Sequence, residues 1–234
     1  MVLTPRLRII ADWVRDGAYL ADVGTDHAYL PVWLRLNGKV SRAIASDLRK
    51  GPLERAKATA AHYGVDGIDF RLCDGLSAVS PQEADTIVLS GMGAETIIAI
   101  LRAAPWALNA HTLLLQPQSH EELLRRFLSG NGCAIRREAL VADRGTLYVV
   151  MEARGAGESA ALTEREIWGG AKLLHDPLCD RYLIEKIVRL QVSVAGSSRS
   201  ASQAQQARAE TLRDAITALL QAREAWRHAN GTGN

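Results

Sequence analysis

Tyr19-Leu-Ala-Asp-Val-Gly-Thr-Asp-His-Ala-Tyr-Leu-Pro31 is the stretch from which the architecture of this chain can be read. It begins as a short apolar run, passes through a turn that contains Gly24, Asp26 and His27, and continues into a helical segment, 30–36. Strand, glycine turn and helix in this order open a nucleotide-binding α/β fold. Such a turn places backbone N–H groups and polar side chains at the carboxyl end of a central strand, where open α/β sheets bind ligands.

The strand and helix signals around this stretch predict five βα units followed by a hairpin. Strands are expected at 19–23, 40–46, 68–72, 85–89 and 111–116, and the hairpin strands are expected at 134–141 and 146–152. A four-residue connection that contains Gly145 joins the last two strands. Because each of the first five strands alternates with a helix, we expect an α/β fold whose sheet is parallel except for its last strand.

Helix signals flank this pattern. Thr4-Pro5 predicts a helix start, with apolar residues at helical spacing to about Asp16. Ser119 with Glu122 is typical of a capping box before a helix at 120–129. A further helix is expected between Ala94 and Ala103.

The C-terminal third is predicted to be helical. Gly155–Ser159 is a linker of small residues, which divides the chain into domains at 1–154 and 160–234. Thr163 and Glu166 form a capping-box pattern for a helix to about Leu174. Helices at 178–194 and 201–229, joined by a turn at 196–200, predict an antiparallel coiled-coil hairpin.

Length, composition and cysteine usage limit the class of protein. The 234 residues suffice for one domain plus an appendage, and the net charge of +2 allows a nucleic-acid partner without requiring one. Cys73, Cys133 and Cys179 are far apart and form no CxxC pair, so neither a zinc site nor a disulfide framework is expected. No apolar run has the length of a signal peptide or a membrane span. We therefore expect a cytoplasmic monomer with no metal and no membrane association.

The chemistry of the first turn favours one class of cofactor. A dinucleotide fingerprint, G-x-G-x-x-G, lets the backbone approach a pyrophosphate, and only its first glycine, Gly24, is present here. Asp26 stands where it would repel a pyrophosphate. S-adenosylmethionine carries a sulfonium and an α-ammonium group and no phosphate, so Asp22 and Asp26 suit it.

Two further acids follow the next strands. Asp47 lies 23 positions after Gly24, close to the spacing of ~20 residues at which an acid binds ribose hydroxyls. Asp74 follows the third strand and could accept a hydrogen bond from the adenine amino group. A single aspartate at a strand end is a common turn residue, but three after successive strands meet at one edge of the sheet.

Four motifs resemble those of TrmK-type tRNA adenine N1-methyltransferases: Asp-Val-Gly-Thr-Asp-His-Ala-Tyr-Leu-Pro (22–31), Cys-Asp-Gly-Leu (73–76), Ser-Gly-Met-Gly (90–93) and Leu-Gln-Pro (115–117). The resemblance covers most of 4–154 in order, and the C-terminal helices match in kind. It implies a Rossmann-like class I methyltransferase domain, a coiled-coil appendage, S-adenosyl-L-methionine as cofactor, and methylation of N1 of adenine 22, in the D-arm region of tRNA.

The resemblance also implies which residues line the pocket for the cofactor and the target base: Gly24, Asp26, His27, Asp47, Asp74, Gly75, Ser90, Gly91, Met92 and Gly93. The sequence departs from the family in two places. Gly-Thr-Asp-His replaces the common Gly-Ser-Asp-His and keeps the hydroxyl group. Asp47 occupies a position that is often glutamate, which keeps the charge and shortens the reach.

Three residues of the turn are candidates for catalysis. Adenine N1 has an in-plane lone pair, so methyl transfer needs positioning more than a base. Asp26 could stabilise the positive charge that develops on the ring. His27 could orient the base or relay a proton from its exocyclic amine, or it could only cap the next helix. Tyr29 could stack on the unpaired target base or pack in the core.

Candidate substrate contacts lie on other elements. Gln116 could hydrogen-bond the substrate or cap a turn, and Pro117 follows it at the strand end. Arg42 and Lys50 are expected near the mouth, where they could bind phosphates or be solvated surface residues. The same two interpretations apply to basic residues of the predicted helical pair: Arg181, Lys186, Arg189, Arg199, Arg208 and Arg213.

Other functions stay open at this point. The turn is equally suited to a methyltransferase that acts on another RNA, a small molecule or a protein. A non-catalytic RNA-binding module on a degenerate fold is a second alternative, against which the pocket carboxylates argue. A dehydrogenase is the weakest alternative because the fingerprint glycines are missing.

Overall fold

The structure, a computed structural model, describes residues 1–155, 161–197 and 202–231. Its sheet contains seven strands: β1 (Ala18–Val23), β2 (Val40–Asp47), β3 (Ile68–Leu72), β4 (Thr86–Met92), β5 (Thr112–Pro117), β6 (Cys133–Asp143) and β7 (Thr146–Gly155). The strand order is β3-β2-β1-β4-β5-β7-β6. Strands β1 to β5 are parallel and β7 is antiparallel to β5. The predicted α/β fold, with a sheet that is parallel except for its last strand, is therefore confirmed.

The strand order places the ligand-binding edge. The chain moves outward from β1 to β2 and β3, then returns to β4 on the other side of β1. This reversal leaves a crevice at the carboxyl ends of β1 and β4, which is where open α/β sheets bind ligands. The turn that follows β1 is therefore at the switch point, as the sequence predicted.

Helices accompany the strands: α1 (Pro5–Trp13), α2 (Tyr29–Leu36), α3 (Lys50–His62), α4 (Ala94–Ala103) and α5 (Glu121–Gly130), with a 3-10 turn at Pro105–Leu108. Helix α1 ends at Trp13 and not near Asp16, because Val14 is already extended, with ψ 128°. Thr4 is its N-cap residue, although the Thr4 side chain makes no capping hydrogen bond. The apolar face of α1 is buried as predicted, with Ile10 and Ala11 fully inaccessible.

The start of α5 corrects a prediction. Its N-cap residue is His120, in the left-handed region with φ 57°, and no side chain caps the helix. Ser119 lies one position too early to act as the cap, and its carbonyl instead accepts the backbone N–H of Ala94. Glu122 faces the imidazole of His120 at 3.2 Å. The predicted capping box at 119–122 is wrong, because the hydrogen bond from Ala94 at the start of α4 holds the backbone of Ser119 outside the helix.

The hairpin is tighter than predicted. Strand β6 ends at Asp143 and strand β7 begins at Thr146, so only Arg144 and Gly145 connect them. Both have positive φ, 50° and 85°, which matches the two-residue turns that fit the twist of a hairpin. Arg144 is therefore held at the tip of the hairpin in a conformation that favours glycine.

The contacts within the chain divide it into two units. A sheet unit comprises Met1–Arg137 with Val141–Ala160, and a helical unit comprises Glu138–Leu140 with Ala161–Asn234. The second unit contains α6 (Glu164–Gly169), α7 (Cys179–Ser197) and α8 (Gln203–Ala229). Residues 156–159 of the predicted linker and 198–200 of the predicted turn lie outside the described residues. Gly155 ends β7 and Gly196 belongs to α7.

The helical unit is held by local signals and by side-chain packing. The capping box of α6 is confirmed, since Thr163 and Glu166 bond to each other's backbone N–H groups. Helix α6 ends at Gly169, earlier than the predicted Leu174, because Gly170 takes φ 110°. Arg223 near the end of α8 pairs with Asp180 at the start of α7 at 2.6 Å, so these helices run in opposite directions.

In the described ranges no helix is long and apolar enough to cross a membrane.

Candidate active site

The turn after β1 is pinned to the neighbouring strand. The backbone N–H groups of Gly24 and Thr25 both donate to the carbonyl of Ser46 at the end of β2, at 2.8 and 2.9 Å. Gly24 takes φ 75°, and a Cβ built on it would lie 2.8 Å from Cε of Met92. The position therefore favours glycine for its backbone conformation, and an added side chain would also displace the flexible tip of Met92.

A cavity of about 530 Å³ opens beside this turn. It is lined by residues of the turn, of α1, of the end of β4 and of the loops after β5 and β6: Thr4, Arg6, Leu7, Asp22, Gly24, Thr25, Asp26, His27, Tyr29, Leu30, Ser90, Gly91, Gln118 and Arg144. Its volume is within the range typical of small-molecule sites. The structure thus collects seven predicted site residues around one space: Asp22, Gly24, Asp26, His27, Tyr29, Ser90 and Gly91.

Asp22 supplies a buried carboxylate to this cavity. It is 6% exposed, and the hydroxyl of Thr25 donates to its Oδ2 at 2.6 Å. Burial raises the pKa of Asp22 to about 6, the Thr25 hydrogen bond opposes this rise, and the charge of Asp47 adds to it. A buried anion next to a second anion is stabilised by a cationic ligand.

Asp26 is a more exposed carboxylate. Its backbone is in the left-handed region, with φ 46°. Its Oδ1 accepts a hydrogen bond from Nη2 of Arg55 on α3 at 2.6 Å, and Nε2 of His27 lies 3.7 Å from its Oδ2. About half of each partner of the Arg55 pair is exposed, so this ion pair contributes only ~0–1 kcal/mol and an incoming ligand can replace it.

His27 and Tyr29 form an aromatic surface at the cavity. Their rings are stacked with centroids 5.1 Å apart and planes 4° apart. Tyr29 is 44% exposed, so it is not the buried core aromatic of the alternative interpretation. The N-cap residue of α2 is Ala28, and no side chain caps that helix. The capping alternative for His27 therefore has no hydrogen bond to support it.

Asp47, Asp74 and Gly75 lie along the same sheet edge but do not line this cavity. Oδ1 of Asp47 accepts the backbone N–H of Arg49 at 2.9 Å, and its carbonyl accepts that of Cys73 at 3.1 Å. The ends of β2 and β3 are thereby tied together beside the turn. Gly75, with φ 53°, lies against Ile100, where a Cβ would come within 3.0 Å.

The Ser90–Gly93 motif is only partly a loop. Ser90 and Met92 still pair with Gln116 and Pro117 of β5, and the register shifts at Gly91. Gly93 is the N-cap residue of α4. Gln116 is fully buried and its amide atoms are bonded to protein groups, so it lies behind the cavity wall and not on it.

The two basic residues expected at the mouth do not line the cavity. Arg42 pairs in register with Tyr19 and stacks on its ring at 4.1 Å, at the amino end of the strands. It lines a different cavity with Arg71 and Glu83, because strand direction puts it at the edge opposite the turn. Lys50 is the exposed first residue of α3.

The structure adds residues that the sequence did not indicate: Thr4, Arg6, Gln118 and Arg144 of the cavity, and Arg55 beside Asp26. Arg6 is 110 positions from its partner Gln116, and no local pattern reports such a contact. Within the described part of the chain, no group of three or more His, Cys, Asp or Glu residues could hold a metal ion.

Known proteins that are similar to this chain are methyltransferases. Residues 3–151 match the family described as methyltransferase domain. The tRNA (adenine(22)-N(1))-methyltransferase of Bacillus subtilis is 37% identical over 161 residues, which are 68% of each chain.

Solved structures match over nearly the whole chain. The crystal structure of the B. subtilis m1A22 tRNA methyltransferase TrmK has a TM-score of 0.85 at 28% identity, covering 95% of this chain and 99% of that one. Sp1610 of Streptococcus pneumoniae in complex with S-adenosyl-L-methionine has a TM-score of 0.82 at 28% identity, covering 95% and 100%. This chain belongs to the methyltransferase family that includes the B. subtilis tRNA (adenine(22)-N(1))-methyltransferase TrmK.

Proposed function

We propose that this protein transfers the methyl group of S-adenosyl-L-methionine to N1 of adenine 22 in tRNA. The observation that carries the proposal is a cavity with two carboxylates at the switch point of the sheet, in a chain 37% identical to a tRNA (adenine(22)-N(1))-methyltransferase. A relative, Sp1610, has been solved with S-adenosyl-L-methionine bound. The same site chemistry argues against a dehydrogenase.

The residues of the cavity fit this cofactor. Asp22 is a buried anion for which a cationic group would be a favourable partner. Gly24 has no side chain, so the turn leaves room beside the end of β4 for a ligand in the cavity that both line. Beside the cavity, Asp47 at the end of β2 would accept hydrogen bonds from ribose hydroxyls, and Asp74 after β3 would accept one from the adenine amino group. When bound, S-adenosyl-L-methionine supplies an electrophilic methyl group, whose transfer to N1 breaks the sulfur–carbon bond and leaves the positive charge on the ring.

The remaining residues of the turn would handle the target base. N1 lies on the Watson–Crick edge, so the base must leave its pair to react, at a cost of a few kcal/mol. The stacked His27–Tyr29 pair offers an exposed aromatic surface for that base. The Asp26 carboxylate would stabilise the charge that N1 methylation puts on the ring, once Arg55 turns to a phosphate or to solvent.

The helical unit would bind tRNA. Arg189 and Arg208 are exposed on α7 and α8 and can meet phosphates. Lys186 is an exception among the predicted basic contacts, because it is 6% exposed and lies over the rings of Trp168 and Tyr182. Arg199 lies outside the described residues. We also propose that the protein is a cytoplasmic monomer, for which light scattering of the purified protein tests the oligomeric state.

The direct test is methylation of unmodified tRNA with labelled S-adenosyl-L-methionine, followed by primer extension to locate the modified base. We expect a stop at adenine 22, and none in a matched tRNA that carries guanine there. Methylation of a small molecule or a protein, with several tRNAs left unmodified, would favour the alternative substrates. If calorimetry detects no cofactor binding by folded protein, the non-catalytic alternative would be favoured.

A further inference from the structure

A chain of hydrogen bonds runs from helix α1 to the wall of the cavity. Nη1 of Arg6 donates to Oε1 of Gln116 at 2.9 Å, and Nε donates to Oδ2 of Asp143 at 2.9 Å. The guanidinium also lies 4.8 Å from the centre of the Tyr148 ring. Partners on β5, β6 and β7 therefore fix this side chain, although it starts from the first helix of the chain.

This contact decides which way the Gln116 amide points. An arginine carries only donors, so the Gln116 atom that faces Arg6 must be its carbonyl oxygen. The amide nitrogen donates to the carbonyl of Pro117 at 2.8 Å. In the opposite orientation, the amide nitrogen would face the donor of Arg6 and the amide oxygen would face the carbonyl of Pro117. Both contacts would be repulsive, and Gln116 has no exposed surface through which water could compensate. Arg6 thus locks the amide in one orientation.

The locked amide in turn fixes the role of Ser90. Oγ of Ser90 lies 3.4 Å from the same Oε1, a long hydrogen bond in which the hydroxyl can only donate. With its hydrogen directed at Gln116, the hydroxyl oxygen keeps its lone pairs for the cavity, which Ser90 lines. Gly91 has no side chain to cover them. The wall of the cavity therefore presents an acceptor at the end of β4.

We propose that Arg6 is a positioning residue that, through Gln116, keeps Ser90 Oγ as the acceptor for the exocyclic amine of the target adenine. The inference rests on the proposed function and names the element that recognises the base. Guanine and hypoxanthine carry a carbonyl oxygen in place of this amine, and that oxygen would face the lone pairs of Ser90. A site that pairs two acceptors in this way discriminates strongly against the wrong base. Arg6 itself does not touch the amine.

The test compares kcat/KM for two tRNAs that differ only at position 22, which is either adenosine or purine riboside. Purine riboside keeps N1 and lacks the amine. We expect the preference for adenosine to fall about fivefold in Arg6→Met and in Ser90→Ala, the effect of one neutral hydrogen bond. The double variant should lose no more than either single variant, because both act on one contact. A ratio of two substrates is insensitive to the fraction of protein that folds.

Arg8→Met is the matched control, because Arg8 lies on the same helix, contacts the exposed Asp12 and the half-buried Trp33 ring, and does not line the cavity. It should leave the preference unchanged. If Arg6→Met does not fold, Asp143→Asn loosens the anchor of Arg6 and should lower the preference about twofold. An unchanged preference in the Arg6, Asp143 and Ser90 variants would overturn this inference alone. Failure of the unsubstituted protein to methylate the adenosine tRNA would overturn the proposed function itself.

Discussion

The two carboxylates of the β1 turn are close in sequence and differ in environment. Asp22 is buried and bonded to Thr25, whereas Asp26 is exposed and paired with Arg55. The protein can therefore assign them different tasks, with the buried group holding a cationic ligand and the exposed group facing the substrate. Each assignment makes a separate prediction.

For Asp22 the prediction concerns pH. Its carboxyl pKa is raised to about 6, so the ligand-free protein takes up a proton there as the pH falls below that value. Only the ionised form attracts a cation, so we expect the affinity for S-adenosyl-L-methionine to fall up to about tenfold per pH unit below 6 and to level off towards pH 7. Calorimetric titration between pH 5 and 7 measures this. Asp22→Asn should bind weakly with a flat profile, and a flat profile in the unsubstituted protein would contradict the role.

For Asp26 the prediction concerns turnover. Asp26→Asn removes the charge next to the base and keeps the shape, so we expect kcat to fall about 10- to 100-fold. The dissociation constant of the cofactor should change less than about threefold, since Asp22 is intact. Asp66→Asn, at an exposed position away from the cavity, serves as control. Equal losses of turnover and cofactor affinity would make Asp26 a cofactor contact only.

Gly24 can be tested against a glycine with the same backbone angle. Gly24 and Gly17 have φ 75° and 77°, but an added Cβ meets Met92 at Gly24 and nothing within 4 Å at Gly17. Gly17→Ala should cost only the backbone strain, about 1–2 kcal/mol. Gly24→Ala should cost a similar strain, because Cε of Met92 is the end of a flexible side chain and can move, but it should also weaken cofactor binding since Gly24 lines the cavity. Thermal unfolding and calorimetry measure the two effects, and unchanged cofactor affinity in Gly24→Ala would contradict a role of this turn in the site.

At the scale of elements, the sequence predicted what depends on local periodicity and missed what depends on neighbours. The apolar run of β4 was recognised, but its extension through Ser90 to Met92 depends on pairing with Gln116 and Pro117 of β5. Likewise the Ser119–Glu122 pattern resembles a cap, yet the hydrogen bond from Ala94 to the Ser119 carbonyl shifts the helix start. A local motif predicts a structure only where no tertiary contact competes for the same backbone groups.

The capping box of α6 is a case where no such competition occurs. Thr163→Ala removes one hydrogen bond to a backbone N–H and should destabilise the helical unit by about 1 kcal/mol, whereas Thr163→Ser should cost little. Hydrogen bonds from Thr163 lower the pKa of Glu166, so its contribution is present at neutral pH and is lost as the pH falls through that lowered pKa. Urea unfolding followed by circular dichroism measures both effects. Thr4→Ala, at a cap position without a side-chain bond, should leave stability unchanged.

At the scale of the molecule, the sequence predicted those site residues that lie at the carboxyl ends of the parallel strands. Successive aspartates after β1, β2 and β3 had to meet at one edge, because parallel strands end together. Arg6 and Arg144 could not be placed this way, since their position follows from how α1 and the hairpin pack on the sheet. Arg42 was placed wrongly, because it lies near the start of β2 and Asp47 lies at its end, so the two residues are at opposite edges of the sheet.

We expect tRNA binding to depend on basic residues of the helical unit and not on the net charge of +2. Replacing Arg189 and Arg208 by glutamate should weaken tRNA binding and reduce the slope of log K against log salt by about 2, since each lost phosphate contact removes roughly one counterion. Cofactor affinity should stay unchanged. Arg15→Glu with Arg154→Glu changes the net charge equally on the sheet unit. If that pair weakens tRNA binding as much as the helical pair does, the effect is one of total charge, and the helical unit would not be the tRNA-binding element.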